Sequence, residues 1–261
     1  MATDRPTVIA SPANPLVKQA LAVREGRRPE AGTAFIEGAR LIDTALQAGV
    51  VVERLFTLDG SHPALAQAVL AAGGTVSVVT PAVLRRLTQT VTPQGTVAIV
   101  RRPAPEWPSS ASLAVVLAGV ADPGNAGTII RAADAVGADL VVCAAGTVSP
   151  YNAKAVRASM GSLFHVPVVT ADASEVLRRL RNLGLRLVLA DAAGDTGYLQ
   201  CDFRVPVAIV LGGEAAGAGQ VWRQAADATV RIPIFGRAES LNVALAAAVL
   251  LYEARRQRLE L

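Results

Sequence analysis

Three short polar segments in the second half of the chain carry residue types that could do chemistry, and each directly follows an apolar, strand-like run. Residues 122–131 read Asp-Pro-Gly-Asn-Ala-Gly-Thr-Ile-Ile-Arg. Pro123-Gly124 predicts a turn, Asn125 can cap the helix that follows, and Arg131 falls in the second turn of that helix. Residues 211–219 read Leu-Gly-Gly-Glu-Ala-Ala-Gly-Ala-Gly. This is a glycine-rich turn that lacks both G-x-G-x-x-G and the Lys-Ser/Thr of a phosphate loop. Glu214 would repel a pyrophosphate and suits an uncharged or cationic ligand, or the orienting of a polar substrate. Residues 232–243 read Ile-Pro-Ile-Phe-Gly-Arg-Ala-Glu-Ser-Leu-Asn-Val. Ser240 is placed to cap a long last helix, with Asn242 in its first turn. Taken singly, each segment also admits a plain role: a cap with an Arg131–Asp134 pair, a solvated glycine loop, a second cap.

Other chemistries find less support. His62 and His165 stand far apart and in no metal-ligand spacing. No G-x-S-x-G elbow is present. No acidic cluster suggests a magnesium site, and no metal is expected.

The elements that must position these segments alternate in type. Residues 113–118, 140–143, 185–190 and 207–211 are near-continuous apolar runs, which predicts parallel strands covered on both faces. Helical patterns occupy 126–136, 153–160, 174–182 and 241–258. Ligands of such open sheets bind beyond the carboxyl ends of the strands, where the three segments lie. Before them, residues 101–112 are rich in proline and serine and break the pattern. The expected organisation is therefore a first domain at 1–105, a linker at 106–112 and a second domain at 113–261. In the first, helices at 15–24, 38–47, 63–72 and 81–87 alternate with strands at 34–36, 50–58, 75–79 and 96–100, predicting a small α/β sandwich.

Composition excludes several classes. A chain of 261 residues with 52% hydrophobic and 18% charged residues is no disordered tail. The longest apolar runs are about half of the roughly 20 residues a membrane-spanning helix needs. The N-terminus has no signal-peptide pattern. Cys143 and Cys201 are too few for a disulfide scaffold or a four-cysteine zinc site. A cytoplasmic protein is expected, without membrane contact. The net charge is +4, and Lys18 and Lys154 are the only lysines, so the cations are almost all arginine, whose planar fork suits phosphate. This hints at an anionic partner.

The order D-P-x-N-x-G-x-I-x-R, then G-x-E-x-x-G, then I-P-x-x-G-x-x-x-S-L-N-V-x-x-A resembles the three motifs of the SpoU (TrmH) family of the SPOUT class. Residues 153–161, Ala-Lys-Ala-Val-Arg-Ala-Ser-Met-Gly, also look like that family's helix after the second strand. The N-terminal part is similar to the L30e-like substrate-binding domain of ribosomal-RNA members, with landmarks at 11–18, 35–38 (Phe-Ile-Glu-Gly) and 92–95 (Thr-Pro-Gln-Gly). The resemblance implies an α/β fold with a C-terminal trefoil knot and a homodimer formed through the C-terminal domain. It implies ribose 2′-O-methylation of RNA with S-adenosylmethionine, with 23S ribosomal RNA, naked or in an assembly intermediate, as the favoured substrate.

Carried onto this chain, the family pattern assigns Asn125, Arg131, Glu214, Ser240 and Asn242 to the catalytic frame. Leu211, Gly212, Gly217, Ile232, Ile234 and Leu241 would hold the methyl donor. Since a guanidinium keeps its proton, Arg131 is read as an anchor for the target phosphate rather than as a base. Lys18, Arg24, Arg27, Arg28 and Arg40 are the candidate RNA contacts of the first domain, unless they form only a solvated basic face. The alternatives are a non-catalytic RNA-binding or ribosome-assembly protein of the same fold, disfavoured by the five retained polar residues, and a small-molecule α/β enzyme, disfavoured by the missing phosphate loops.

Overall fold

The computed structural model describes residues 8–27, 32–90, 94–214 and 217–259; Arg28, Thr92 and Pro93 lie outside them. The chain forms two compact units. One comprises the described residues up to Pro103 together with Tyr151–Arg157, and the other Ala104–Pro150 with the described residues from Ala158 onward.

The first unit runs α1 (Pro15–Arg24), β1 (Thr33–Glu37), α2 (Ala39–Gln47), β2 (Val52–Thr57), α3 (Pro63–Ala71), β3 (Thr75–Val78), α4 (Pro81–Leu87) and β4 (Thr96–Arg101). Two of its helices start by one local device, a polar cap followed by proline. Asn14 Oδ1 accepts from the Leu16 amide ahead of α1, and Thr80 Oγ1 from the Val83 amide ahead of α4. The sheet order is β1-β4-β2-β3, with β4 antiparallel to both neighbours and β2 parallel to β3. Its core gathers Val17 and Ala20 of α1, Val83 and Leu87 of α4, and Phe35 and Phe56 of the sheet.

Beyond β4 the chain runs β5 (Leu113–Ala118), α5 (Pro123–Ala135), β6 (Leu140–Ala144), α6 (Ala153–Ala158), β7 (Val168–Ala171), α7 (Ala173–Asn182), β8 (Arg186–Ala190), β9 (Thr196–Gly197), β10 (Val207–Gly212), α8 (Gln220–Ala225), β11 (Ala228–Arg231) and α9 (Val243–Arg258); all of these belong to the second unit except α6, which falls in the first but for its last residue. In the second unit the strands form a single sheet. All its strand pairings are parallel, in the order β7-β6-β5-β10-β8-β11-β9. From β5 the sheet grows outward through β6 and β7, then the chain crosses to β8 and returns to place β10 between β5 and β8. Strand order therefore reverses beside β10, the position where open α/β sheets bind ligands. Leu211 is in register with Leu117 on one side and Ala190 on the other, so β5, β10 and β8 end nearly flush.

The stretch expected as a linker packs within the second unit. Trp107 lies against the core under the Arg179 guanidinium, 5.9 Å from the ring centroid. Ser112 donates through its amide and hydroxyl to Asp139 at 2.7 and 3.0 Å. The strands β7, β9 and β11 and helix α8 have no counterpart in the expectations above. Each is short, and β11, Ala-Thr-Val-Arg, buries only Val230.

Asp139 makes this packing sensitive to acid. Burial raises its carboxyl, but the Leu113 and Ser112 amides, the Ser112 hydroxyl and nearby Arg258 outweigh burial and hold it below the usual range. A carboxylate lowered on folding contributes stability that is present above its unfolded pKa and lost as pH falls through the folded value. Asp139→Asn is therefore expected to lower the melting temperature at neutral pH and to flatten its decline below about pH 4. Melting curves over that range test this; an unaltered acid slope would contradict it.

Candidate functional site

Backbone approaches that only glycine permits build the site at the carboxyl end of β10. An ideal Cβ on Gly212 would lie 2.2 Å from the Ala218 nitrogen, and one on Gly213 would lie 2.2 Å from the Gly119 carbonyl oxygen. Gly217 takes a positive φ of 64°. The loop folds back on itself: the Gly213 amide donates to Gly217 O and Ala118 O, both at 3.1 Å, and the Gly217 amide to Gly213 O at 2.9 Å.

A cavity of about 260 Å³ adjoins Gly212, Gly213 and Gly217. Leu211, Gly212, Gly217, Ile232, Ile234 and Leu241 all line it, as do Glu214 and Ser240. Two further charged residues, Asp191 and Arg223, also face it. The walls thus mix apolar side chains with polar groups, two carboxylates against one guanidinium among them. That balance suits a ligand with an apolar ring and a net positive charge.

At the rim, three side chains form a chain of hydrogen bonds. Asn125 Nδ2 donates to Glu214 Oε1, and Asn242 Nδ2 donates to Asn125 Oδ1 at 3.0 Å. Asn242 Oδ1 accepts from the Ala244 and Leu245 amides at 2.9 and 3.3 Å. The two ends fix the direction of the chain: an ionised carboxylate can only accept, and helix amides can only donate. Both asparagine amides are therefore locked in one orientation.

This geometry corrects two local expectations. Asn242 itself, not Ser240, caps α9. Asp122, not Asn125, caps α5, accepting from the Asn125 amide at 2.8 Å. The sequence admits either residue as cap, and the one immediately before the proline wins because Pro123 occupies the first helical position. It follows that Asn125→Ala is expected to leave the melting temperature unchanged while lowering activity about tenfold, through loss of two hydrogen bonds. A stability loss of about 1 kcal/mol with full activity would restore the capping role.

Arg131 stands apart from this cluster. It lies six residues beyond Asn125, about 9 Å along α5 and on another face of it. Its side chain is exposed and does not line the cavity. Asp134 pairs with His165 Nδ1 at 3.3 Å rather than with Arg131, for which no pair exists among the described residues.

Of the first unit's candidate cations, Lys18 and Arg40 are exposed. Arg27 is exposed but paired with Glu25 at 2.9 Å. Arg24 is placed otherwise: its side chain is only 12% exposed and donates to Arg86 O and Leu87 O, both at 2.9 Å, closing the carboxyl end of α4. That placement does not suit a free phosphate contact. Exposed Arg85 and Arg86, at the same end of α4, were not among the sequence candidates. Their signal lay in two adjacent cations in a last helical turn. Asp191 and Arg223 were also missed; Asp191 immediately follows a strand of the parallel sheet, and that position alone marked it.

Among the described residues, no group of three or more His, Cys, Asp or Glu is gathered as for a metal ion, and no helix is long and apolar enough to cross a membrane. Comparison with known proteins finds that residues 112–252 match the SpoU rRNA methylase family and residues 14–98 an MRM3-like substrate-binding domain. A 23S rRNA (guanosine(2553)-2′-O)-methyltransferase of Bacillus subtilis is 32% identical, covering 87% of this chain and 90% of its own. A 23S rRNA (uridine(2479)-2′-O)-methyltransferase of Streptomyces viridochromogenes is 36% identical, covering 92% and 88%. The AdoMet-bound crystal structure of an rRNA methyltransferase from Sinorhizobium meliloti superposes with a TM-score of 0.88 at 35% identity, over 96% of this chain and 97% of that one.

Proposed function

The chain belongs to the SpoU rRNA methylase family, and from that premise we propose that it methylates a ribose 2′-hydroxyl of large-subunit ribosomal RNA using S-adenosylmethionine. The observation that carries this reading is the glycine-built cavity with the oriented Glu214–Asn125–Asn242 chain at its rim. The cavity's residues fit the cofactor: the apolar side chains suit adenine, Gly212 and Gly213 let the backbone approach closely, and, with Asp191 paired to Arg223, Glu214 is the carboxylate left to suit a cation. Leu211, Gly212, Gly217, Ile232, Ile234 and Leu241 would hold it. When bound, the cofactor supplies a methyl group on a cationic sulfonium.

A ribose hydroxyl is a weak nucleophile at neutral pH, so the protein's contribution is to hold it in line and ease the loss of its proton. Asn125, Glu214, Asn242 and Ser240 frame the acceptor. Arg131, exposed and with a planar fork of donors, grips the target phosphate. Lys18, Arg27 and Arg40, with Arg85 and Arg86, present the first unit to RNA.

The same reading extends to a trefoil knot in the second unit and to a homodimer. Supporting the dimer, Leu245 and Tyr252 on α9 and Leu259 just past its end recur at seven-residue spacing, each about half exposed or more. With 23S ribosomal RNA or an assembly intermediate as substrate, the place of action is the cytoplasm.

The test is methyl transfer from labelled S-adenosylmethionine to ribosomal RNA. Label that resists alkaline cleavage at a single ribose establishes the activity. Bound cofactor without any labelling, on naked RNA and on assembly particles alike, would leave a non-catalytic binding protein.

A further inference from the structure

Asp191 and Arg223 face the cavity yet lie outside all three motif segments. Asp191 follows β8, and its Oδ1 accepts from the Ala193 amide at 3.0 Å. Its Oδ2 pairs with Arg223 Nη1 at 2.7 Å, the two side chains being 14% and 52% exposed. The second guanidinium nitrogen, Arg223 Nη2, reaches the glycine turn, 3.3 Å from where a Cβ on Gly217 would stand. The Arg223 amide also donates to Gly219 O at 3.3 Å. Residues 212, 213 and 217–219 are all glycine or alanine, so this part of the loop has no large side chain with which to anchor itself. One planar guanidinium thus spans from the end of β8 to the glycine turn.

We propose that the Asp191–Arg223 pair is a positioning device that holds the backbone at Gly217 and Ala218, where it lines the cavity, and thereby sets the affinity for the methyl donor. The inference rests on the methyltransferase reading and adds two residues to it that act through the loop. Arginine is required for its fork: one nitrogen meets the carboxylate while the other lies against the turn, which a lysine ammonium cannot do. Partial exposure limits the effect. Pairs of this kind are worth little in isolation, so the expected loss of affinity is about two- to fivefold.

The experiment measures binding of S-adenosylmethionine, S-adenosylhomocysteine and 5′-methylthioadenosine, which lacks the amino-acid end. The proteins are wild type, Asp191→Asn, Arg223→Ala, Arg223→Lys and the double variant that combines Asp191→Asn with Arg223→Ala. The expected result is an equal loss for all three ligands. The double variant should be no worse than Arg223→Ala, and lysine should recover only part of the affinity. Turnover at saturating cofactor should stay near wild type while KM for the cofactor rises, and melting temperatures should hold within a few degrees. Losses confined to the two ligands with an amino-acid end would overturn the proposal in favour of direct contact. Unchanged affinity in Arg223→Ala would overturn it outright. If wild type binds none of the three, this proposal falls together with the reading it rests on; if wild type binds, the two are judged separately.

Discussion

Arg131→Ala is expected to lower the rate of methyl transfer about 1,000-fold while leaving both cofactor affinity and melting temperature at the wild-type level. The separation follows from where Arg131 stands. It is exposed, has no pair among the described residues and does not line the cavity, so neither folding nor cofactor binding depends on it. On the proposed function its value lies toward the RNA. A planar guanidinium can take two phosphate oxygens at once, fixing the target nucleotide so that its 2′-hydroxyl stays in line with the donor methyl. Arg131→Lys keeps the charge and loses the fork, so RNA binding should survive while most of the rate is lost. Single-turnover rates at saturating RNA and cofactor make the measurement. An alanine variant within about threefold of wild type would remove Arg131 from the reaction.

The position of Arg131 shows what the sequence could and could not express. The motif placed it with Asn125 on one helix, but helical geometry sets the two on different faces of α5. Only the folded chain reveals that Asn125 turns toward Glu214 and Asn242, from segments 89 and 117 residues away. The apolar runs made the central strands legible because a strand covered on both faces needs continuous hydrophobic sequence. The short outer strands β9 and β11 carry no such requirement and left no comparable pattern. Helix starts were legible only approximately. Asp122 and Asn125, or Ser240 and Asn242, are equally good capping types, and the choice depends on which backbone amide each can reach. Arg24 is the reverse case: a cation in a basic stretch reads as surface, yet the end of α4 takes its guanidinium. Spacing conveys which residue types are present; tertiary packing decides which of them remain free.

The glycine loop gives the second large effect. Gly212→Ala is expected to weaken S-adenosylmethionine binding at least about 100-fold and to destabilise the second unit by about 1–3 kcal/mol. The added Cβ would stand 2.2 Å from the Ala218 nitrogen and 2.4 Å from the Gly217 carbonyl carbon. The strand side of this clash is pinned: Gly212 is in register with Ala118 of β5, inside a sheet whose neighbouring strands are buried. The backbone at Gly217 and Ala218 must therefore move, and both residues line the cavity. Gly219→Ala is the control that separates space from conformation. Gly219 has a positive φ of 84°, but a Cβ there meets nothing within 4 Å. With ψ at 168° this is backbone that glycine alone adopts readily, so alanine in its place should bear a conformational penalty of about 1–3 kcal/mol and keep cofactor affinity within about threefold. Isothermal titration of both variants, beside their melting curves, decides the matter. If the two lose affinity equally, loop flexibility governs binding and close backbone approach does not. If only Gly212→Ala loses it, the cavity depends on the space that a missing side chain leaves at the end of β10, which is why a cofactor site can be built here with so few charged residues.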